Sequence, residues 1–184
     1  GQETVHNKWD DGVAILTGDA MLSLALRLLN KTPVESHLQM KIFIDGLLAV
    51  CEGQALDKEF ENQSSVSLGD YIKMIDLKTG YLIGLAAELG AVSTGMDSEI
   101  CEKVRDYGRL IGRAFQIQDD YLEIFSNSFN MGKSLESDIV LGKKTFLMIQ
   151  ALEKDTDVIN SALELARNNF DMGFGNIRSY LENE

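Results

Sequence analysis

The chain is poor in the residues that break helices and in those that staple small folds. A single proline in 184 residues leaves little to stop a helix from within, which argues against a turn-dense all-β pattern. Two cysteines, Cys51 and Cys101, are too few and too far apart for a disulfide framework. They read as small buried apolar residues in a reducing compartment, so a cytoplasmic location is expected. Positive charge is also scarce. With 17 Lys and Arg against 29 Asp and Glu, the net charge is −12. That excludes the clustered basic surface of a nucleic-acid binder and electrostatic attraction to anionic lipid. A long uncharged apolar run is missing as well: Val13 to Leu29 is the most apolar stretch, but it contains Asp19 and Arg27, so no membrane span is expected.

What is present is helical periodicity over nearly the whole length, which reads as an all-α fold. A first helix is expected over Val13 to Leu29, with Asp19 buried in a structural role. Thr32-Pro33-Val34-Glu35 has the form of a capping box with proline at the first helical position, predicting a helix from there to about Leu56. Asn62 to Ser65 reads as a loop, and Ser67 to Asp70 as the cap of a third helix. The pattern is interrupted at Lys78-Thr79-Gly80 and resumes at Tyr81, predicting a kink. A long helix is expected from Glu99 to Phe125 and a polar loop from Ser126 to Val140. Helices over Gly142 to Leu152 and Asp157 to Asn169 follow. A break is expected at Phe170 to Gly175, then a last helix from Asn176. One domain over residues 1–184 is expected. The start at Gly1 and the stop inside a helical pattern at Glu184 lead us to expect a piece of a longer domain.

The densest chemistry lies at Phe115-Gln-Ile-Gln-Asp-Asp-Tyr-Leu-Glu123. At about 100° per residue, Gly112, Gln116, Asp119, Asp120 and Glu123 fall within one arc of roughly 100°, while Phe115, Ile117, Leu122 and Ile124 point elsewhere. Clustered carboxylates on an otherwise apolar helix repel unless a cation lies between them. A hard divalent cation fits, and Mg²⁺ held through a few carboxylates usually brings phosphate oxygens with it. A lysine and a hydroxyl at the Lys78-Thr79 kink read equally as a plain kink or as a phosphate contact. Gly132-Lys133 and Asp138 through Thr145 read as a surface loop or as a lid that brings lysine to phosphate and Asp138 toward a metal. Gly142-Lys143-Lys144-Thr145 is not a P-loop, because the upstream glycine spacing and the preceding strand are absent. His6 and His37 taken alone read as surface residues.

Together these segments resemble the trans-polyprenyl diphosphate synthases. Phe115 to Glu123 is similar to that family's second aspartate-rich motif. Thr4-Val-His6, Ala14 to Asp19, Gly53-Gln54 with Asp57, Lys78-Thr-Gly80, Gly132-Lys133 and Asp138 to Thr145 occur in its order and spacing. The resemblance implies an isoprenoid synthase-type helical bundle around a central apolar cleft. It also implies the condensation of an allylic diphosphate with isopentenyl diphosphate through an Mg²⁺-assisted carbocation, in a homodimer. Asp119 would bind Mg²⁺, with Asp120, Glu123 and Asp138 completing or supporting the metal site. Lys78, Lys133 and Lys143 would hold or cover diphosphate, Thr79 and Gln116 would turn oxygens toward the carbocation, and His6 would meet isopentenyl diphosphate. The family's third acid is typically Asp, where this chain has Glu123. Its first aspartate-rich motif and the residues that set product length precede the segment matching Gly1, so this segment alone is expected to be inactive. Two alternatives stand beside this reading: a non-catalytic subunit of a heteromeric synthase, and a terpene cyclase of the same fold class.

Overall fold

The computed structural model describes residues 2–125 and 143–183. Lys133 and Asp138, two of the expected site residues, lie outside that range. Among the described residues there are helices and no strands: α1 (Val5–Lys8), α2 (Asp11–Leu29), α3 (Ser36–Glu61), α4 (Leu68–Ile75), a π-helical turn (Asp76–Gly80), α5 (Tyr81–Ser93), α6 (Ser98–Phe125), α7 (Phe146–Lys154), α8 (Thr156–Asn168) and α9 (Phe170–Glu182). The all-α expectation holds.

Local chemistry explains most boundaries. Asp10 caps α2 by accepting from Val13 N at 2.8 Å. Ser67 caps α4, accepting from Asp70 N at 3.1 Å while its hydroxyl donates to the Asp70 carboxylate at 2.6 Å, the reciprocal economy of an N-terminal cap. Asp97 caps α6 through Ile100 N. The capping box expected at Thr32 to Glu35 does not form. Thr32 turns back to donate to the Leu29 carbonyl, and α3 starts at Ser36 after Glu35 takes a left-handed φ of 46°. Gln39 replaces the box: its buried side chain donates to the Val34 carbonyl at 2.7 Å. That bond offsets the roughly 1 kcal/mol cost of a non-glycine residue in this region. The break expected at Phe170 to Gly175 is also absent. Asn169 accepts from Met172 N, and α9 starts at once, with Gly173 pressed against Ala166 of α8.

Three small cores hold the helices. One gathers Phe60, Val66, Tyr71, Met74, Ile75 and Ile149 from α3, the loop after it, α4 and α7. A second joins α7, α8 and α9 around Ile159 and Ile177, both fully buried and each contributing about 1.5–3 kcal/mol. A third sets Ala91 and Val92 against Cys101, as expected for that cysteine; Cys51 is exposed instead. Glycines bring backbones into direct contact between the first and third. A Cβ on Gly53 would lie 2.3 Å from Lys78 N, one on Gly112 2.6 Å from Gly80 Cα, and one on Gly108 2.8 Å from Gly84 Cα. The π turn is therefore clasped between α3 and α6.

Two exposed apolar surfaces depart from expectation. On α2 no residue is buried, Asp19 included, and Ile15, Leu16, Met21, Leu24 and Leu28 are all exposed. By length and composition this helix passes for a membrane span, with mean hydropathy 1.6. Asp19 finds no burial because nothing within the described chain covers that surface. On α6, Tyr107, Leu110, Phe115 and Leu122 are exposed, while Cys101, Gly108, Gly112, Asp120 and Ile124 pack inward.

Candidate active site

The interruption at Lys78 proves to be a π turn rather than a kink. One extra residue per turn widens the helix and redirects its side chains, a form that recurs at functional sites. Asp76, at its start, accepts from Arg109 Nε at 3.2 Å and from Nη2 of the same guanidinium, and Arg113 Nε lies 3.1 Å away. This clamp fastens the turn to α6. From the turn, Lys78 Nζ donates to Asp57 of α3 at 2.7 Å; both groups are largely buried, so screening is weak.

The turn and α6 meet in a hydrogen-bond chain. Thr79 Oγ1 donates to Gln116 Oε1 at 2.9 Å, and Gln116 Nε2 donates to Asp120 Oδ1 at 3.1 Å. The other oxygen of Asp120 accepts from the Tyr71 hydroxyl at 2.6 Å and from Phe146 N at 3.2 Å. Asp120 is thus buried with both oxygens engaged, and it caps the start of α7, where a carboxylate is favoured. Burial pushes its carboxyl up, and the three donors oppose that by favouring the charged form. Burial and the neighbouring Asp120 charge also push the Tyr71 phenol up, so it stays a donor.

A cavity of about 180 Å³ opens beside this chain of bonds. It is lined by Lys78, Gln116, Asp119, Asp120, Glu123 and Lys143, all expected site residues, together with Asp57, Tyr71, Lys144 and Thr145. Burial lowers the Lys144 ammonium from its ordinary value, and Arg167 adds to the shift. Thr79 reaches the cavity through Gln116. His6 lies apart, exposed on α1.

Tyr71 is the residue the sequence reading missed. It stands seven positions before Lys78, with Met74 and Ile75 at helical spacing between them, so one face pointed the same way. Nothing in the sequence pairs it with Asp120, which lies 49 residues on.

Among the described residues, no three His, Cys, Asp or Glu side chains are gathered closely enough to hold a metal on their own. That is not what Mg²⁺ needs. It favours one or two carboxylates, with phosphate oxygens and water filling the rest. Asp119 and Glu123, one helical turn apart on the cavity wall, provide such hard oxygens. The Thr145 hydroxyl, buried and without a hydrogen-bond partner among the described residues, would be satisfied by a phosphate oxygen. The donor set therefore fits Mg²⁺ with a phosphorylated ligand.

Comparison with known proteins gives the family. Residues 1–172 match the polyprenyl synthetase family. The chain is 37% identical over 159 residues to a short chain isoprenyl diphosphate synthase of Methanothermobacter thermautotrophicus, covering 85% of this chain and 49% of that one. It is 38% identical over 157 residues to a geranylgeranyl diphosphate synthase of Methanosarcina mazei, covering 84% and 48%. The chain thus spans about half the length of the curated relatives it matches. A crystal structure of a geranylgeranyl pyrophosphate synthase superposes with a TM-score of 0.88 at 36% identity, over 99% of this chain and 58% of that one. That superposition includes α2, which makes the helix part of the family's fold rather than an appended membrane anchor. The chain belongs to the polyprenyl synthetase family.

Proposed function

We propose that the protein carrying this chain is a cytoplasmic, Mg²⁺-dependent prenyltransferase that joins an allylic diphosphate to isopentenyl diphosphate. The observation that carries this reading is the cavity in which lysines, carboxylates and a dipole-bearing Gln116 converge. In the reaction, the allylic carbon–oxygen bond breaks and its electron pair leaves with the diphosphate. The isopentenyl double bond then attacks the allylic carbocation. The adduct loses a proton, which the released diphosphate accepts.

Asp119 and Glu123 would hold Mg²⁺, with Asp120 behind them and Asp138 supporting the site. Bound there, Mg²⁺ would neutralise charge on the departing diphosphate. Lys78, braced by Asp57, binds and orients that diphosphate, and Lys133 and Lys143 cover it. Thr79 and Gln116 offer neutral oxygens to the carbocation, which stabilise it without capturing it. Met74 and Ile75, the aliphatic members of the cavity lining, would help to keep water from it. His6 orients isopentenyl diphosphate. The exposed apolar side chains of α2 are suited to cover by the rest of the domain and by a second copy, making a homodimer.

Removing the brace should separate binding from chemistry. Asp57→Asn is expected to raise the KM for the allylic diphosphate about tenfold with little change in kcat, because Lys78 then has to be ordered by the substrate. Initial rates over a range of allylic diphosphate concentrations check this; an unchanged KM counts against a role for Lys78 on the substrate.

The whole reading is tested by supplying the purified full-length protein, without any partner, with isopentenyl diphosphate, Mg²⁺ and allylic primers of graded length. Elongated products support it. Elongation only after a second, different subunit is added would favour the non-catalytic alternative. No elongation with any primer would sink the reading.

A further inference from the structure

Asp120 belongs to an aspartate-rich face, yet both its oxygens are spoken for. Oδ2 accepts from the Tyr71 hydroxyl and from Phe146 N, and Oδ1 accepts from Gln116 Nε2. A carboxylate held by these donors has only acceptors to offer. Facing it, the Gln116 amide has one allowed orientation, with its NH₂ end toward Asp120. Its oxygen must then turn the other way, where the Thr79 hydroxyl donates to it. From this geometry we infer that Asp120 is a positioning residue for Gln116: it selects which end of the amide dipole faces Thr79 and the reacting carbon. Tyr71 and Phe146 N hold Asp120 in that role from behind.

The consequence is chemical. A glutamine beside a developing carbocation helps only if its oxygen leads; the flipped amide would present partial positive charge to a cation. The inference rests on the proposed role of Gln116 in prenyl transfer, but the orientation itself does not need that role.

The arrangement permits a near-isosteric test in the full-length protein. In Asp120→Asn the amide oxygen can take the Oδ2 place and keep the bonds from Tyr71 and Phe146 N. Its NH₂ then confronts the NH₂ of Gln116, and the Gln116 amide must flip. The expected result is a loss of kcat on the order of 100-fold, with the half-saturating Mg²⁺ concentration and the allylic KM each within about twofold of wild type. Adding Gln116→Glu restores an oxygen on the Thr79 side, because the amide introduced by Asp120→Asn then donates to the new carboxylate and the pair keeps its net charge. The double variant should recover about tenfold or more, although Gln116→Glu alone sets two carboxylates together and loses activity. A mere loss of packing would not be repaired in this way.

A second arm needs neither substrate nor metal. The Gln116 side-chain amide resonance, assigned by its disappearance in Gln116→Glu, should show a proton shifted downfield by the carboxylate, and Asp120→Asn should abolish that shift. Three results would overturn the inference: an Mg²⁺ requirement raised tenfold or more with kcat recovered at saturating Mg²⁺, no rescue by Gln116→Glu, or an amide resonance indifferent to Asp120→Asn. If the wild-type protein elongates no primer, the prenyl-transfer reading fails, and the resonance still decides the orientation by itself.

Discussion

Asp119→Asn in the full-length protein is expected to lower Mg²⁺-dependent turnover about 1,000-fold, the scale of losing one ligand from a metal that neutralises a leaving group. Its stability should change by less than about 0.5 kcal/mol, as for a substitution remote from the core. The contrast follows from how the two adjacent aspartates are used. Asp120 is buried in a hydrogen-bond cluster, while Asp119 and Glu123 line the cavity one helical turn apart. Glu123→Gln is expected to cost less, about tenfold, since its longer side chain fixes a ligand less firmly. Steady-state rates across an Mg²⁺ titration, with a urea unfolding curve for each variant, check both. An Asp119→Asn protein that keeps full turnover would remove Asp119 from the metal site.

Gly112→Ala should damage fold and rate together. Alanine is the better helix former by about 1 kcal/mol, so an open site would gain stability. At Gly112 the new Cβ would lie 2.6 Å from Gly80 Cα and 3.1 Å from the Thr79 carbonyl. The obstacle is backbone, which cannot rotate away as a side chain can. Sliding α6 outward is opposed by the matching Gly108–Gly84 contact one turn earlier. Overpacking of this kind costs about 1–3 kcal/mol. It also drives Thr79 away from Gln116, now 2.9 Å apart, so a fall in kcat of about tenfold or more should accompany it. Gly90→Ala is the control: within α5 nothing lies near its Cβ position, and a gain of about 0.5–1 kcal/mol is expected. Urea unfolding and kcat on both variants test the pair. A Gly112→Ala protein as stable and as fast as wild type would show that the helices separate at little cost.

Much of this architecture could be read from residue order. The acidic arc on α6, the serine cap of α4 and the disturbance at Lys78 are local patterns, and local chemistry produced them. The readings that failed are those where another contact, near or distant, overrules the expected pattern. The Thr32 to Glu35 box lost to a buried Gln39 that bonds Val34. The glycines between Phe170 and Gly175 read as a break, yet Gly173 is there because α8 passes too close for a side chain. Helical geometry places Asp119 and Asp120 on one face, and residue order carries that much. The burial of Asp120 against Tyr71 and the α7 terminus is not legible there, because no spacing rule encodes an approach from 49 or 26 residues away. Asp19 reads as buried because its helix is apolar, but nothing within the described chain covers that surface.

The central claim is that the α6 face binds a diphosphate through Mg²⁺. Calorimetric binding of a non-ionising allylic thiolodiphosphate to the full-length protein addresses it without turnover. The account predicts binding at least about tenfold tighter in Mg²⁺ than in EDTA, with the gain lost in Asp119→Asn. Equal affinity with and without Mg²⁺, or a gain that survives Asp119→Asn, would contradict it.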